Sequence, residues 1–178
     1  MIATIHIGHV LREAVASSYR NLVTRPTGVA VRDRIEATLD DAGCVCACLD
    51  FSDVDLLDFS CADEIVAKLL MARRGTRFVM LRGLREDHHE AVEHVLTHHR
   101  LAAAAILPGS DEPQLLGWAT PDSHAAFDAL CACGSLTAAE LAERLDWDET
   151  RAHQALCFLA LHRVIRDEDE VYSPLPAV

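Results

Sequence analysis

The chain has 178 residues, 51% of them hydrophobic and 25% charged, which is apolar enough to bury a core and excludes a wholly disordered chain. Its 28 acids outnumber 16 lysines and arginines, and the net charge of −12 disfavours nonspecific binding to nucleic acid or anionic membranes. The start, Met1–Gly8, lacks the basic and apolar regions of a secretion signal, and no apolar run of about 18 residues predicts a membrane span. Seven cysteines are an odd count without disulfide-framework spacing, so a reducing cytoplasm is the expected compartment. Lys68 is the single lysine, a bias of GC-rich bacterial genomes.

Alternating apolar residues over Met1–Ile7 predict a first strand, and Arg20–Thr24 is a second, short candidate. Arg25-Pro26-Thr27-Gly28 punctuates the chain. Val29, Arg32, Ile35, Glu36 and Leu39 then recur at helical spacing, with Gly43 as the stop. Cys44–Phe51 is an unbroken apolar run, expected to form a strand covered on both faces. A helix is predicted over Ser60–Arg74, with Ile65, Leu69 and Ala72 inward and Gly75 after it. Arg77–Leu81 predicts another buried strand. Glu86–His99 predicts a helix that buries Ala91, Val92, Val95 and Leu96. Strands alternating with helices through short links imply parallel pairing by right-handed crossovers. Leu101–Ile106 and Leu115–Ala119 flank the turn-rich Pro108–Pro113, the pattern of a hairpin.

From Asp122 the pattern turns helical. His124–Cys133 is one helix, stopped by Gly134. Thr137-Ala-Ala-Glu140 is a capping box that opens a second, ending at Leu145. Asp148–Arg163 is a third, with Ala152, Ala155, Leu156, Leu159 and Ala160 on one face. Val164–Arg166 and Val171–Tyr172 predict a terminal hairpin. Three short helices and a hairpin follow the order of a winged helix. The expected architecture is an α/β domain over residues 1–119, a mixed sheet with packed helices ending in a hairpin. A small α+β winged-helix-like domain follows over 120–178.

The stretch Leu49–Ile65, with Asp58-Phe59-Ser60 at its centre, resembles the core of STAS domains, the anti-sigma-factor-antagonist fold. Thr24–Gly28, Leu57–Ser60, Ala62–Glu64 and Leu81–Leu84 look more specifically like the STAS-like family of bacterial proteins. The resemblance covers roughly Gly8 to Leu101. Asp58 matches the motif aspartate and Ser60 the serine that partner kinases phosphorylate in bacterial members. Phe59 stands where that motif has its first serine, and Cys61-Ala62 replace a glycine-containing step. The resemblance implies a non-enzymatic regulatory protein that binds a partner, such as a histidine-kinase-type ATPase, through Asp58, Phe59, Ser60, Asp63 and Glu64. The partner supplies the ATP, so no cofactor is expected in this chain.

Ser60 is the phosphorylation candidate, since a phosphate adds about −1.5 to −2 charges to a contact surface. Ser60-Cys-Ala-Asp63 also reads as a capping box with Ser60 as N-cap, and Asp58, Asp63 and Glu64 would repel an added phosphate. Arg25, Thr27 and Gly28 form a candidate anion-binding loop at a helix start, without the ending of a P-loop. His88, His89, His94, His98 and His99 fall on one predicted helix, which reads as a solvated face without a metal. Cys44, Cys46 and Cys48 alternate on a strand and read as small core residues. No nucleophile–base pair has a recognisable spacing.

The alternative function is a transcription regulator that reads DNA through its third helix, with Arg151 as the contact. Eleven acids against four arginines after Thr120, including the run Asp167–Glu170 in the wing, count against it and favour a protein contact or a homodimer. A third class is a small-molecule sensor using the Arg25–Gly28 loop and the hairpin.

Overall fold

The computed structural model describes residues 2–15, 19–72 and 77–176. Met1, and the predicted helix end at Arg74 with its stop at Gly75, lie outside the described residues.

Strand β1 (Ile2–His6) leads into helix α1 (Ile7–Val15), and β2 (Asn21–Leu22) precedes α2 (Arg25–Ala42). Next come β3 (Cys46–Asp50) and β4 (Leu56–Leu57). One helical stretch then runs as α3 (Phe59–Ala62), a π segment (Asp63–Ala67) and α4 (Lys68–Met71). Strand β5 (Phe78–Arg82), α5 (Glu86–His98), β6 (Ala102–Ile106) and β7 (Pro113–Gly117) complete the larger sheet. The remainder is α6 (Pro121–Cys133), α7 (Ala138–Leu145), α8 (Glu149–Leu161), β8 (Ile165–Glu168) and β9 (Val171–Pro174).

The sheet order is β1-β3-β5-β6-β7, and every pair is parallel except the last. The fold is therefore mixed α/β, with a mostly parallel sheet and packed helices. Strand β3 is buried along its whole length because both faces are covered. Ala47 and Leu49 face one core with Val10, Leu11, Val31, Ile35, Ile65, Val92 and Leu96 from the crossover helices. On the opposite face Met80, Ala102, Ala104 and Leu115 share a second core with Phe127, Leu130, Leu156, Leu159 and Tyr172. The C-terminal helices and hairpin thus roof the sheet. Arg166 of β8 reaches Cys46 and lies 5.9 Å from the centre of the Phe78 ring. Arg163 adds a polar tie, donating to the Leu70 carbonyl near the end of α4 at 2.5 Å.

Several elements differ from the expectations, each for a local reason. Helix α1 was not predicted, although Ile7, Val10 and Leu11 have helical spacing and are buried. Its first residue, Ile7, continues the apolar alternation of β1 and reads as the end of that strand. The candidate at Arg20–Thr24 shortens to Asn21–Leu22, which pairs in parallel with Leu56–Leu57. Two-residue strands leave no period to read. Helix α2 begins at Arg25, not Val29, because Pro26 lies in its first turn, where a missing N–H costs nothing. Helix α6 likewise begins at Pro121, capped by Thr120, whose side chain accepts from the Ser123 N–H. The hairpin partner is Pro113–Gly117, earlier than Leu115–Ala119. The Thr137–Glu140 capping box is present as expected. Among the described residues no helix is long and apolar enough to cross a membrane.

Candidate functional site

The first turn of α2 lies against the helical stretch that begins at Phe59. Glycine at position 28 eases this approach. A Cβ there would stand 3.0 Å from both Cys61 Cα and Glu64 Cβ.

Asp58, not Ser60, is the N-cap of α3, which corrects the predicted capping box. Its Oδ1 accepts from the Cys61 N–H at 2.7 Å and from the Ser60 hydroxyl at 2.8 Å. Its Oδ2 accepts from the Thr24 N–H at 2.9 Å. Thr24 is held at φ 74°, a conformation unusual for a β-branched residue, and that last bond fixes it. The negative charge at this helix start is thus supplied by the chain's own Asp58. Thr27 bonds back to the Thr24 hydroxyl at 3.2 Å, and Gly28 is packed under Cys61. Burial by itself would raise the Asp58 pKa. The bonds from Cys61, Thr24 and Ser60 outweigh it and hold the carboxyl below its usual value. Burial, aided by the charge of Asp58, pushes the neighbouring Cys61 thiol up to about 12.

The π segment sets Asp63 and Glu64 against α2. Both reach the same nitrogen of Arg25, Nη1, at 2.7 and 2.6 Å. Glu64 is 1% exposed and also pairs with Arg32 and Lys68. Asp63 is held a second time by His99 Nε2 at 2.7 Å. Burial raises the pKa of each acid, but the hydrogen bonds and cations prevail, and both carboxyls sit below their usual range. π turns tend to mark functional positions within helices. Here the turn places two consecutive acids into one cluster of cations.

Outside this cluster an open depression of about 400 Å³ is lined by Arg25, Phe59, Ser60, Asp63, His94, Val95, His98 and His99. Phe59 is 50% exposed, and its ring meets His94 edge-on at 4.9 Å. The His98 and His99 rings meet in the same manner at 4.9 Å. The predicted surface residues Asp58, Phe59, Ser60, Asp63 and Glu64 therefore converge, but in two layers. Asp58 and Glu64 are inner struts, while Phe59 and Ser60 face the depression. The contributions of α5 and Arg25 to that surface were not legible in the sequence.

Leu81–Leu84 lies at the C-terminal end of β5. Gly83 has φ 70°, and a Cβ there would stand 2.2 Å from Ser52 Oγ. Ser52 in turn donates from its N–H and hydroxyl to Asp50 Oδ1 at 2.9 and 2.6 Å. That motif therefore closes the turn after β3.

The histidine face needs one correction. His88 points into the core, not to solvent, and is 0% exposed. Its Nδ1 accepts from the Arg85 N–H at 3.4 Å, and among the described residues its Nε2 has no hydrogen-bond partner. Among the described residues no three His, Cys, Asp or Glu side chains are grouped to hold a metal ion. Cys46 and Cys48 are core residues under the C-terminal roof, and burial pushes Cys48 up to about 11. Arg151 is engaged within the chain. Its guanidinium grips Asp122 with two bonds of 2.8 and 2.6 Å and stacks 4.3 Å from the centre of the Trp147 ring.

His88 makes a pH prediction. Burial lowers its pKa below 6.5, so the unfolded chain takes up a proton that the native chain resists. The stabilisation is complete above about pH 6.5 and falls as pH drops toward the native value. Urea unfolding of His88→Gln at pH 7.5, 6.5 and 5.5 should show a shallower loss than wild type. His162, also depressed by burial, retains its own share. An unchanged slope would remove His88 from this role.

No protein-family model, curated protein or solved structure matches this chain.

Proposed function

We propose that this chain is a non-enzymatic regulatory protein that binds a protein partner through the Phe59–Ser60 surface, with Ser60 as its switch. The observation that carries the reading is the convergence of Thr24–Gly28 with Asp58–Glu64. Two segments far apart in sequence spend a constrained glycine, a left-handed threonine and a buried carboxylate to present Phe59 and Ser60 beside Arg25. Such investment in an exposed aromatic ring fits a contact surface, where aromatic and arginine residues dominate binding.

On this reading residues 1–119 form a STAS-like domain and 120–178 a winged-helix-like one. The parallel sheet with its crossover helices on one face supports the first. Three helices followed by an antiparallel hairpin support the second. The proposed partner is a histidine-kinase-type ATPase that supplies the nucleotide, and the proposed setting is bacterial cytoplasm. Arg151 bound to Asp122 favours a protein contact over DNA for the C-terminal module, because its fork is already filled.

Co-expression with a candidate kinase-like ATPase tests the switch. Tandem mass spectrometry should find phosphate on Ser60, and Ser60→Asp should weaken the complex at least tenfold. Phe59→Ala should weaken it similarly while leaving the melting temperature nearly unchanged, since the ring is half exposed. Unmodified Ser60 together with undiminished binding by Ser60→Asp and Phe59→Ala would refute the reading.

A further inference from the structure

The sequence sets three acids around Ser60, and on charge alone a phosphate there would be repelled. The fold changes this balance. Glu64 is buried among Arg25, Arg32 and Lys68, Asp63 is shared by Arg25 and His99, and Asp58 is saturated by three donors. The cation at the mouth is Arg25, whose side chain is 52% exposed. It uses only Nη1 for Asp63 and Glu64. Among the described residues its Nε and Nη2 make no hydrogen bond. Those two nitrogens form the side-on edge that matches two oxygens of a phosphate or carboxylate. Arg25 and Ser60 line the same depression.

We propose that Arg25 receives a phosphoryl group carried by Ser60 through this open Nε/Nη2 edge. The inference rests on Ser60 being the modified residue. The Ser60 hydroxyl attacks the γ-phosphorus of ATP on the kinase. The bond to the bridging oxygen of the β-phosphate breaks, and ADP leaves. The hydroxyl proton passes along its hydrogen bond to Asp58 Oδ1 and on to water. The phosphate then folds onto Arg25 without displacing Asp63 or Glu64, because Nη1 stays engaged. His94 and His98 lie on the same wall. The modification thus does more than add charge beside Phe59: it closes the guanidinium edge of Arg25 that the unmodified depression offers to a partner.

The test uses the full chain with phosphoserine inserted at position 60 during translation, so no kinase is required. Phosphorus NMR follows the phosphate through its second ionisation, ordinarily near pH 6. Asp58, Asp63 and Glu64 act to raise that pKa; Arg25, and His94, His98 and His99 when protonated, act to lower it. A guanidinium in contact should lower it by about one unit, a tenfold change in proton affinity. Arg25→Gln should return it to the ordinary value or above, and Arg25→Lys, a charge without a fork, should fall between. A wild-type value at or above the ordinary one overturns the proposal, as does a lowered value that Arg25→Gln leaves in place. Failure here leaves the partner reading standing, and failure of the co-expression experiment leaves this contact standing.

Discussion

Glu64→Ala is expected to destabilise the protein by about 3 kcal/mol at pH 7. Removing one member of a buried ion pair, which leaves its partner desolvated, typically costs about 3–5 kcal/mol; here Arg25 keeps Asp63 and Arg32 keeps Asp33. The lower end applies because Arg25 and Lys68 remain partly in water, with side chains 52% and 39% exposed. Arg32, at 20%, carries the largest share of the penalty. Glu64→Gln preserves the shape and one acceptor and should lose less. Urea denaturation measures both. The same carboxylates set a pH dependence. The carboxyls of Asp58, Asp63 and Glu64 are held below their usual range, so their contribution is present above about pH 4.5 and is lost as pH falls through the native values. The acid limb of the stability curve should therefore be flatter in Glu64→Ala. An Ala variant as stable as wild type, with an unchanged acid limb, would show that the cluster contributes nothing to docking α2 against the Phe59–Met71 stretch.

Phe127→Ala should cost about 3–5 kcal/mol, the range for deleting a buried aromatic ring. Phe127 is 1% exposed in the core that Met80, Ala102, Ala104 and Leu115 of the sheet share with Leu130, Leu156 and Leu159. The more informative result is the shape of the transition. The helices roof the sheet instead of hanging from it, so the variant should still unfold in one step, with fluorescence and circular dichroism coincident. Loss of the C-terminal helices well before the sheet would show that the shared core does not couple the two.

How much of each feature is legible in the sequence follows how locally it is encoded. Strand β3 was legible because a five-residue strand buried on both faces must be apolar throughout. Helix α7 was legible because its cap and its N3 glutamate lie three residues apart. Helix α1 is obscured by the apolar residues that join it to β1, and β4 by its length; β2 is legible only as the longer candidate Arg20–Thr24. Ser60 was misread as a cap because two neighbouring residues, Asp58 and Ser60, both carry capping side chains. The choice between them fell to Thr24, whose N–H holds the other oxygen of Asp58 from 34 positions away.

The net charge of −12 was fixed by composition, and so were the alternation of strands and helices and the proximity in sequence of Asp58, Ser60, Asp63 and Glu64. These depend on residue type and on spacings of a few positions. Tertiary structure alone decided what those acids do. Three of them read as a repulsive patch in one dimension. Folding brings Arg25, Arg32 and His99 from α2 and the end of α5 to Asp63 and Glu64, gives Asp58 the Thr24 N–H, and leaves one edge of Arg25 open beside Ser60. Coulomb energy depends on distance in space and on the water removed between charges, and neither is written in the order of residues.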